Sequence, residues 1–138
     1  MRTAMAERLA KFGLELHPEK TRVLRFGRYA RKDSERDGRN RPETFDFLGF
    51  THIATESRLR RFMLMRRTSR KKRAAKMTAL REAMRSRMHE SLKKQHQWLC
   101  SVIRGHDNYY GVPTNHRALA SFHREVQQAW YRHRRRGL

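Results

Sequence analysis

Apolar residues recur every three or four positions along the second half of this chain, and this spacing restricts that half to helices packed along one face. From residue 68 onward the apolar positions are Met77, Leu80, Met84, Met88 and Leu92. The charged residues on the remaining faces of the same segment are mostly basic, with ten Lys and Arg against two Glu. The pattern predicts one long helix over 68–94 with a single buried stripe.

Two further helices follow from the same periodicity. The second apolar stripe consists of Trp98, Leu99, Val102 and Ile103, and it predicts a helix that ends near Gly105. Residues 108–113 interrupt the pattern, and Thr114 or Asn115 is suited to cap a third helix. The inward positions of that helix are Leu119, Phe122, Val126 and Trp130. Three amphipathic helices joined by short connections predict a small bundle over 68–138.

The first part of the chain combines a short helix with strands. Met5, Leu9 and Phe12 lie at helical spacing before Gly13, a residue type that closes helices. Residues 21–26 read as a strand and the charged segment 27–43 as a loop. Residues 44–51 and 61–67 are β-prone, so two or three short antiparallel strands are expected. The predicted fold class is therefore α+β, with a β region in 1–67 and a helical domain in 68–138.

The charge is concentrated in the helical half. The chain has 34 Lys and Arg against 13 Asp and Glu, a net charge of +21, of which residues 58–138 contribute +18 from 22 basic and four acidic residues. A run of charges is ordinarily a solvated surface, but a helix of one sign repels itself at i,i+4 unless a polyanion neutralises it. Salt-sensitive binding to nucleic acid is therefore expected.

The candidate RNA-binding residues lie on the predicted helices and in the basic tail. They are Arg70, Lys71, Lys72, Arg73, Lys76, Arg81, Arg85, Arg104, Tyr109, Tyr110, Arg132, Arg134, Arg135 and Arg136. Of the two tyrosines, one is expected to pack and the other to be available for a sugar or a base.

The cysteine content and the hydropathy of the sequence bear on its compartment, on metal binding and on membrane insertion. Cys100 is the only cysteine, so it forms no internal disulfide, and a reducing compartment is indicated. His96 lies one turn earlier, but no second pair of ligands lies nearby in sequence, and no metal site is expected. No apolar run is long enough for a membrane span. A cytoplasmic protein associated with the nucleoid or with a ribonucleoprotein is expected.

Three segments in one order carry a family resemblance. They are residues 12–21 (FGLELHPEKT), 45–50 (FDFLGF) and 105–113 (GHDNYYGVP). With the basic helical half, they resemble the last two reverse-transcriptase blocks and the maturase-specific thumb domain of bacterial group II intron reverse transcriptase/maturases. The resemblance implies that 1–67 is the C-terminal edge of a polymerase palm and that 68–138 is a thumb that binds intron RNA.

The resemblance also implies roles for individual residues. Lys20 would correspond to the general acid that protonates the leaving pyrophosphate. The primer grip would consist of Phe47, Leu48, Gly49 and Phe50, where a tight hairpin brings backbone against the primer end. The family holds its catalytic Mg²⁺ with a Tyr-Ala-Asp-Asp block, and no Asp-Asp pair occurs in this sequence. No polymerase activity is therefore expected from this chain alone, and Mg²⁺ and deoxynucleoside triphosphates are cofactor and substrate of the full-length enzymes only.

Three functions remain open on the sequence. The first is an RNA-binding fragment of a maturase that binds intron RNA and assists its splicing. The second is one half of a split RNA-directed DNA polymerase, whose fingers and palm come from a separate upstream polypeptide. The third is a generic basic nucleic-acid-binding protein, which accounts for the charge but not for the order of the three segments.

Overall fold

The computed structural model describes residues 2–136, except for the side chain of Arg136. The chain divides after Glu43 into two compact units. Both the strands and the long helices belong to the second unit, whereas the division expected from the sequence lies at residue 67.

The first unit contains two short helices, α1 (Arg2–Ala10) and α2 (Ala30–Arg36). Gly13 adopts a φ of 68° and closes α1, as the sequence predicts, with its N–H 3.1 Å from the carbonyl of Ala10. Few side chains of this unit are buried, and Phe12 is 75% exposed. The helical spacing of Met5, Leu9 and Phe12 therefore does not mark a buried face.

Two expectations for this unit are wrong. Residues 21–26 form no strand, because no neighbouring strand within the unit supplies the ladder of hydrogen bonds that a strand requires. Residues 27–43 are not only a loop, since they contain α2. That helix is supported by an Arg31–Glu35 ion pair one turn apart, and Gly38 at a φ of 71° follows it.

The second unit begins with a three-stranded antiparallel sheet. Its strands are β1 (Thr44–Phe47), β2 (Phe50–Glu56) and β3 (Phe62–Thr68), in the order β1-β2-β3. Leu48 and Gly49 connect β1 to β2 with φ values of 49° and 80°. Two consecutive positive φ values match the twist of the flanking strands and fix the register that pairs Phe47 with Phe50. The prediction of two or three antiparallel strands is confirmed.

Three helices complete this unit: α3 (Arg70–Ser86), α4 (Leu92–Tyr110) and α5 (His116–Arg136). The buried core that they share consists of Met77, Leu80, Met84, Leu99, Phe122 and Val126. Each of these residues belongs to one of the three stripes predicted from the sequence. The α+β class is likewise confirmed.

The ends of α3 and α4 differ from the prediction. Helix α3 stops at Ser86, because Gln95 donates its side-chain N–H groups to the carbonyls of Arg87 and Glu90 and so fixes a turn there. Met88 and Leu92 consequently lie outside the core and are exposed. Helix α4 does not end near Gly105 but continues through it to Tyr110. Gly105 lacks the positive φ that would close a helix.

Asn115 joins the sheet to the helices. Its fully buried side chain accepts the N–H of Thr68 at 2.9 Å and donates to the Thr68 hydroxyl and to the carbonyl of Tyr110, both at 2.9 Å. The sequence predicts a helix cap at Thr114 or Asn115, but the side chain of Asn115 links the ends of β3 and α4, and its backbone carbonyl starts α5. The Thr114 hydroxyl likewise bonds both backbone groups of Arg66. These side chains cover part of the outer edge of the sheet.

Replacing Asn115 by Ala is expected to destabilise the second unit by about 2–3 kcal/mol, because the buried N–H of Thr68 loses its partner and the carbonyl of Tyr110 keeps only the N–H of Val112. Asn108→Ala changes an exposed asparagine on α4 and is the matched control, expected within about 0.5 kcal/mol of the unaltered chain. Urea unfolding followed by circular dichroism measures both. Equal unfolding midpoints for the two variants would contradict the role of Asn115.

Candidate nucleic-acid interface

The hairpin between β1 and β2 is held by the last turn of α4. The hydroxyl of Tyr109 donates to the carbonyl of Leu48 at 2.8 Å. The Phe50 ring lies 5.9 Å from the Tyr109 ring and 5.1 Å, edge to face, from the Tyr110 ring. Two of the three segments singled out in the sequence, 45–50 and 105–113, therefore contact each other. The third segment, 12–21, belongs to the first unit.

Gly49 is required at this contact for two independent reasons. Its φ of 80° strains any residue with a Cβ, and a Cβ placed there would lie 2.7 Å from the hydroxyl oxygen of Tyr110. The tight hairpin that the resemblance implies at residues 47–50 is present. Of the four residues, Phe50 is buried, whereas Phe47 and Leu48 are exposed. Phe47 is therefore not a core residue.

Asp46 and Ser69 fasten the hairpin to the start of α3, a role that the sequence analysis missed. The Asp46 carboxylate accepts hydrogen bonds from the hydroxyls of Thr51 and Ser69, which lower its pKa. The N–H of Ser69 donates to the carbonyl of Gly49 at 2.9 Å. An Asp in a β-prone segment followed by a Thr across the turn is the only sequence signal for this contact.

The two tyrosines differ in environment, as the sequence analysis expects. Tyr110 is partly buried, and burial raises the pKa of its hydroxyl. Tyr109 is 53% exposed, although its hydroxyl is engaged by Leu48. The accessible part of Tyr109 is therefore mainly its ring.

The candidate basic residues fall into two groups. Arg73 and Arg81 both pair with Glu125, at 2.9 and 3.0 Å, and so attach α3 to α5. Nine others are exposed and have no ion-pair partner in the described part of the chain: Arg70, Lys71, Lys72, Lys76, Arg85, Arg104, Arg132, Arg134 and Arg135. The side chain of Arg136, also a candidate, lies outside the described residues. Arg73 and Arg81 therefore stabilise the packing of α3 on α5 in addition to contributing positive charge.

A groove of about 510 Å³ separates α3 from α4. Lys72 and Lys76 line it from α3, and Gly105, His106 and Tyr109 line it from α4. A second cleft, of about 210 Å³, is lined by Arg81 and Arg85 of α3 and by Glu125 and Arg132 of α5, among others. Both depressions thus combine unpaired cations with polar or aromatic groups.

His106 is a buried polar residue that the sequence analysis did not single out. Its ring stacks on Phe122 at 3.8 Å, and neither ring nitrogen has a hydrogen-bond partner. Asp107 lies 3.7 Å from Nδ1, too far for a hydrogen bond, and instead contacts His123 at 2.8 Å. Burial lowers the pKa of His106, Asp107 opposes the shift, and Lys76 and His123 add to it. The ring is therefore neutral at physiological pH.

Lys20 and Cys100 complete the list of candidates. Lys20 lies exposed in a turn of the first unit. Cys100 Sγ lies 3.6 Å from His96 Nε2, and residues 2–136 contain no group of three metal-ligating side chains close enough to hold an ion. Over the same residues, no helix is both long and apolar enough to cross a membrane.

Gly49→Ala is expected to destabilise the second unit by about 2–3 kcal/mol, from the left-handed φ and the steric conflict with Tyr110 combined. Tyr110→Phe removes the conflicting oxygen, so the double variant should recover about 1 kcal/mol of this loss. A double-mutant cycle by urea unfolding measures the recovery. If the changes in unfolding free energy of the two single variants simply add in the double variant, the new Cβ at residue 49 does not contact the hydroxyl of Tyr110.

Acidification is expected to destabilise the chain through His106. The pKa of the folded imidazole lies below its ordinary 6.5, so between those two values only the unfolded chain binds the proton. The free energy of unfolding therefore falls as the pH drops through 6.5 and levels off below the folded pKa. His106→Gln should flatten this pH dependence of urea unfolding, whereas His89→Gln, at an exposed site, should leave it unchanged.

No known protein-family model, curated protein or solved structure matches this chain.

Proposed function

We propose that the chain binds structured RNA through α3 and the clefts beside it, and that it is related to the C-terminal part of group II intron maturases. In this proposal it binds intron RNA, assists the splicing of that RNA, and carries no polymerase activity by itself. The observation that carries the proposal is the set of nine exposed and unpaired cations in the second unit.

Acidic residues of the chain neutralise only a small part of this positive charge. Only four acidic residues occur in 58–138, and Glu125 is already shared by two arginines. Lys72 and Lys76 lie one helical turn apart, so they repel each other until an anion lies between them. A phosphodiester backbone supplies such anions at regular spacing and releases condensed counterions when it is bound.

The cleft between α3 and α5 can hold a phosphate, because its three arginines outnumber its one carboxylate, Glu125. Arg81, Arg85 and Arg132 line it, and guanidinium groups bind phosphate through paired N–H donors. Arg81 is already held by Glu125, whereas Arg85 and Arg132 are unpaired within the described residues. An anion in the cleft would therefore complete the coordination of arginines that the protein has only partly oriented.

The relation to maturases is supported by the sequence segments and by the contact between two of them. The hairpin at 47–50 and the segment 105–113 were noted separately in the sequence, yet Tyr109 and Tyr110 hold that hairpin directly. A generic basic protein would not require this pairing. Lys20 has no accompanying Asp-Asp pair in the chain, which supports a role without nucleotide polymerisation. In the cell, we propose that the protein is cytoplasmic and associated with the nucleoid or with a ribonucleoprotein.

The Lys72→Gln/Lys76→Gln double variant is expected to weaken binding to a stem–loop RNA and to reduce the slope of log affinity against log salt by about 1.5–2. The matched control, Arg58→Gln/Arg61→Gln, removes the same charge from the exposed turn between β2 and β3 and should leave that slope nearly unchanged. Filter binding across a range of KCl concentrations measures both.

An equal loss of RNA affinity in the two double variants would show that net charge alone governs binding. Failure of the unaltered chain to bind the stem–loop with any salt dependence would overturn the proposed function. Competition between a group II intron transcript and transfer RNA tests the narrower assignment, since a maturase relative should prefer the intron and a generic basic binder should not.

A further inference from the structure

The groove between α3 and α4 has the size and the walls of a ligand site. Its volume of about 510 Å³ falls within the range of roughly 300–1,000 Å³ typical of small-molecule sites. One wall includes Lys72 and Lys76, and the other includes aromatic and polar residues of α4. Cationic groups facing an aromatic surface are the combination that binds single-stranded nucleic acid.

Gly105 keeps this groove open. It lies in the interior of α4, where glycine destabilises a helix relative to alanine. A Cβ at this position would meet no other atom within 4 Å, so close packing against a neighbour does not account for the glycine. The space that a side chain would fill is part of the groove, since Gly105 lines it.

Tyr109 provides a fixed aromatic surface at the same groove. Its hydroxyl is held by the carbonyl of Leu48, and Phe50 stacks on its ring, so the ring is oriented before any ligand arrives. Even so, 53% of the residue is exposed. An oriented and accessible ring is suited to stack on an unpaired base, because every base presents a flat π face.

His106 adds an independent sign of a ligand. Its side chain is only 3% exposed, it lines the groove, and neither of its ring nitrogens has a hydrogen-bond partner. Buried polar atoms are rarely left without a partner in a folded protein. The neutral ring has one donor and one acceptor, which match the edge of a base or a ribose hydroxyl.

From these four features we infer that the groove accepts one unpaired nucleotide of the bound RNA. Its base lies against Tyr109 and beside His106, and the adjoining phosphates lie at Lys72 and Lys76. This inference rests on the proposed RNA-binding function and deepens it. Bases inside a duplex are stacked and paired, so only a loop, a bulge or a single-stranded end can occupy the groove.

Gly105→Leu tests the inference by filling the groove without removing a charge. Affinity for a stem–loop RNA should fall about tenfold, the loss expected from one base–aromatic stacking contact. Affinity for a blunt RNA duplex of equal length should stay the same, as should the salt dependence of both. Gly105→Ala is the matched control, since a single methyl group leaves most of the groove free, and its affinity for both RNAs should match that of the unaltered chain.

Tyr109→Ala provides a second variant at an exposed position. It should reproduce the selective loss for the stem–loop RNA, whereas Tyr109→Phe, which keeps the ring, should retain most of the affinity. A fluorescent adenine analogue in the loop should be quenched by the unaltered chain and much less by Gly105→Leu. Circular dichroism confirms that each variant keeps its helical content.

Two results would overturn the inference while leaving the proposed function intact. One is an unchanged affinity of Gly105→Leu for the stem–loop RNA, and the other is an equal loss for the stem–loop and the duplex. If the unaltered chain showed no salt-sensitive binding to either RNA, the proposed function itself would fail, and the inference with it.

Discussion

The second unit depends on the buried side chain of Asn115. It is the point at which β3 ends, α4 ends and α5 begins, and its amide bonds the first two while its backbone carbonyl starts the third. A hydrogen bond contributes little net free energy, because water can replace either partner, but leaving a buried backbone group such as the Thr68 N–H unpaired is costly. This asymmetry makes the junction specific, since no apolar side chain of similar size can satisfy the same groups. The positions of Tyr109 and Tyr110, and through them that of the hairpin at Gly49, follow from where this junction places the end of α4.

The excess of positive charge limits the stability of the same unit. The apolar core is small, and a single carboxylate, Glu125, attaches α3 to α5 by pairing with Arg73 and Arg81. These partly exposed pairs contribute modestly to stability. The remaining cations repel one another, so a bound polyanion would both neutralise and stabilise the fold. Under the proposed function, RNA binding and stability would be coupled through one set of residues on α3 and α5.

Predictions of secondary structure from the sequence were right where the apolar periodicity was strong. They were wrong where tertiary contacts determine the ends or the existence of an element. All six core residues of the helices lie on predicted stripes. The predicted extension of α3 past Ser86 was wrong because Gln95 fixes a turn there from the next helix. The predicted strand at 21–26 was wrong because β-structure requires a partner that spacing alone does not reveal. In the candidate interface, the basic residues were named from charge alone, whereas His106, Asp46 and Gly105 were not named, since each is defined by what surrounds it.

The sequence by itself determined the α+β class, the three apolar stripes and the basic character of the helical half, because each follows from local spacing or charge. Only the tertiary structure decided which cations are free. Arg73 and Arg81 look like Lys72 and Lys76 in the sequence, yet a carboxylate from α5 pairs the first two and leaves the others exposed. The tertiary structure also decided that Tyr109, Gly105 and His106 line one groove with the free lysines. The physical reason is that a helical face is fixed by local periodicity, whereas the surface it meets is fixed only by packing.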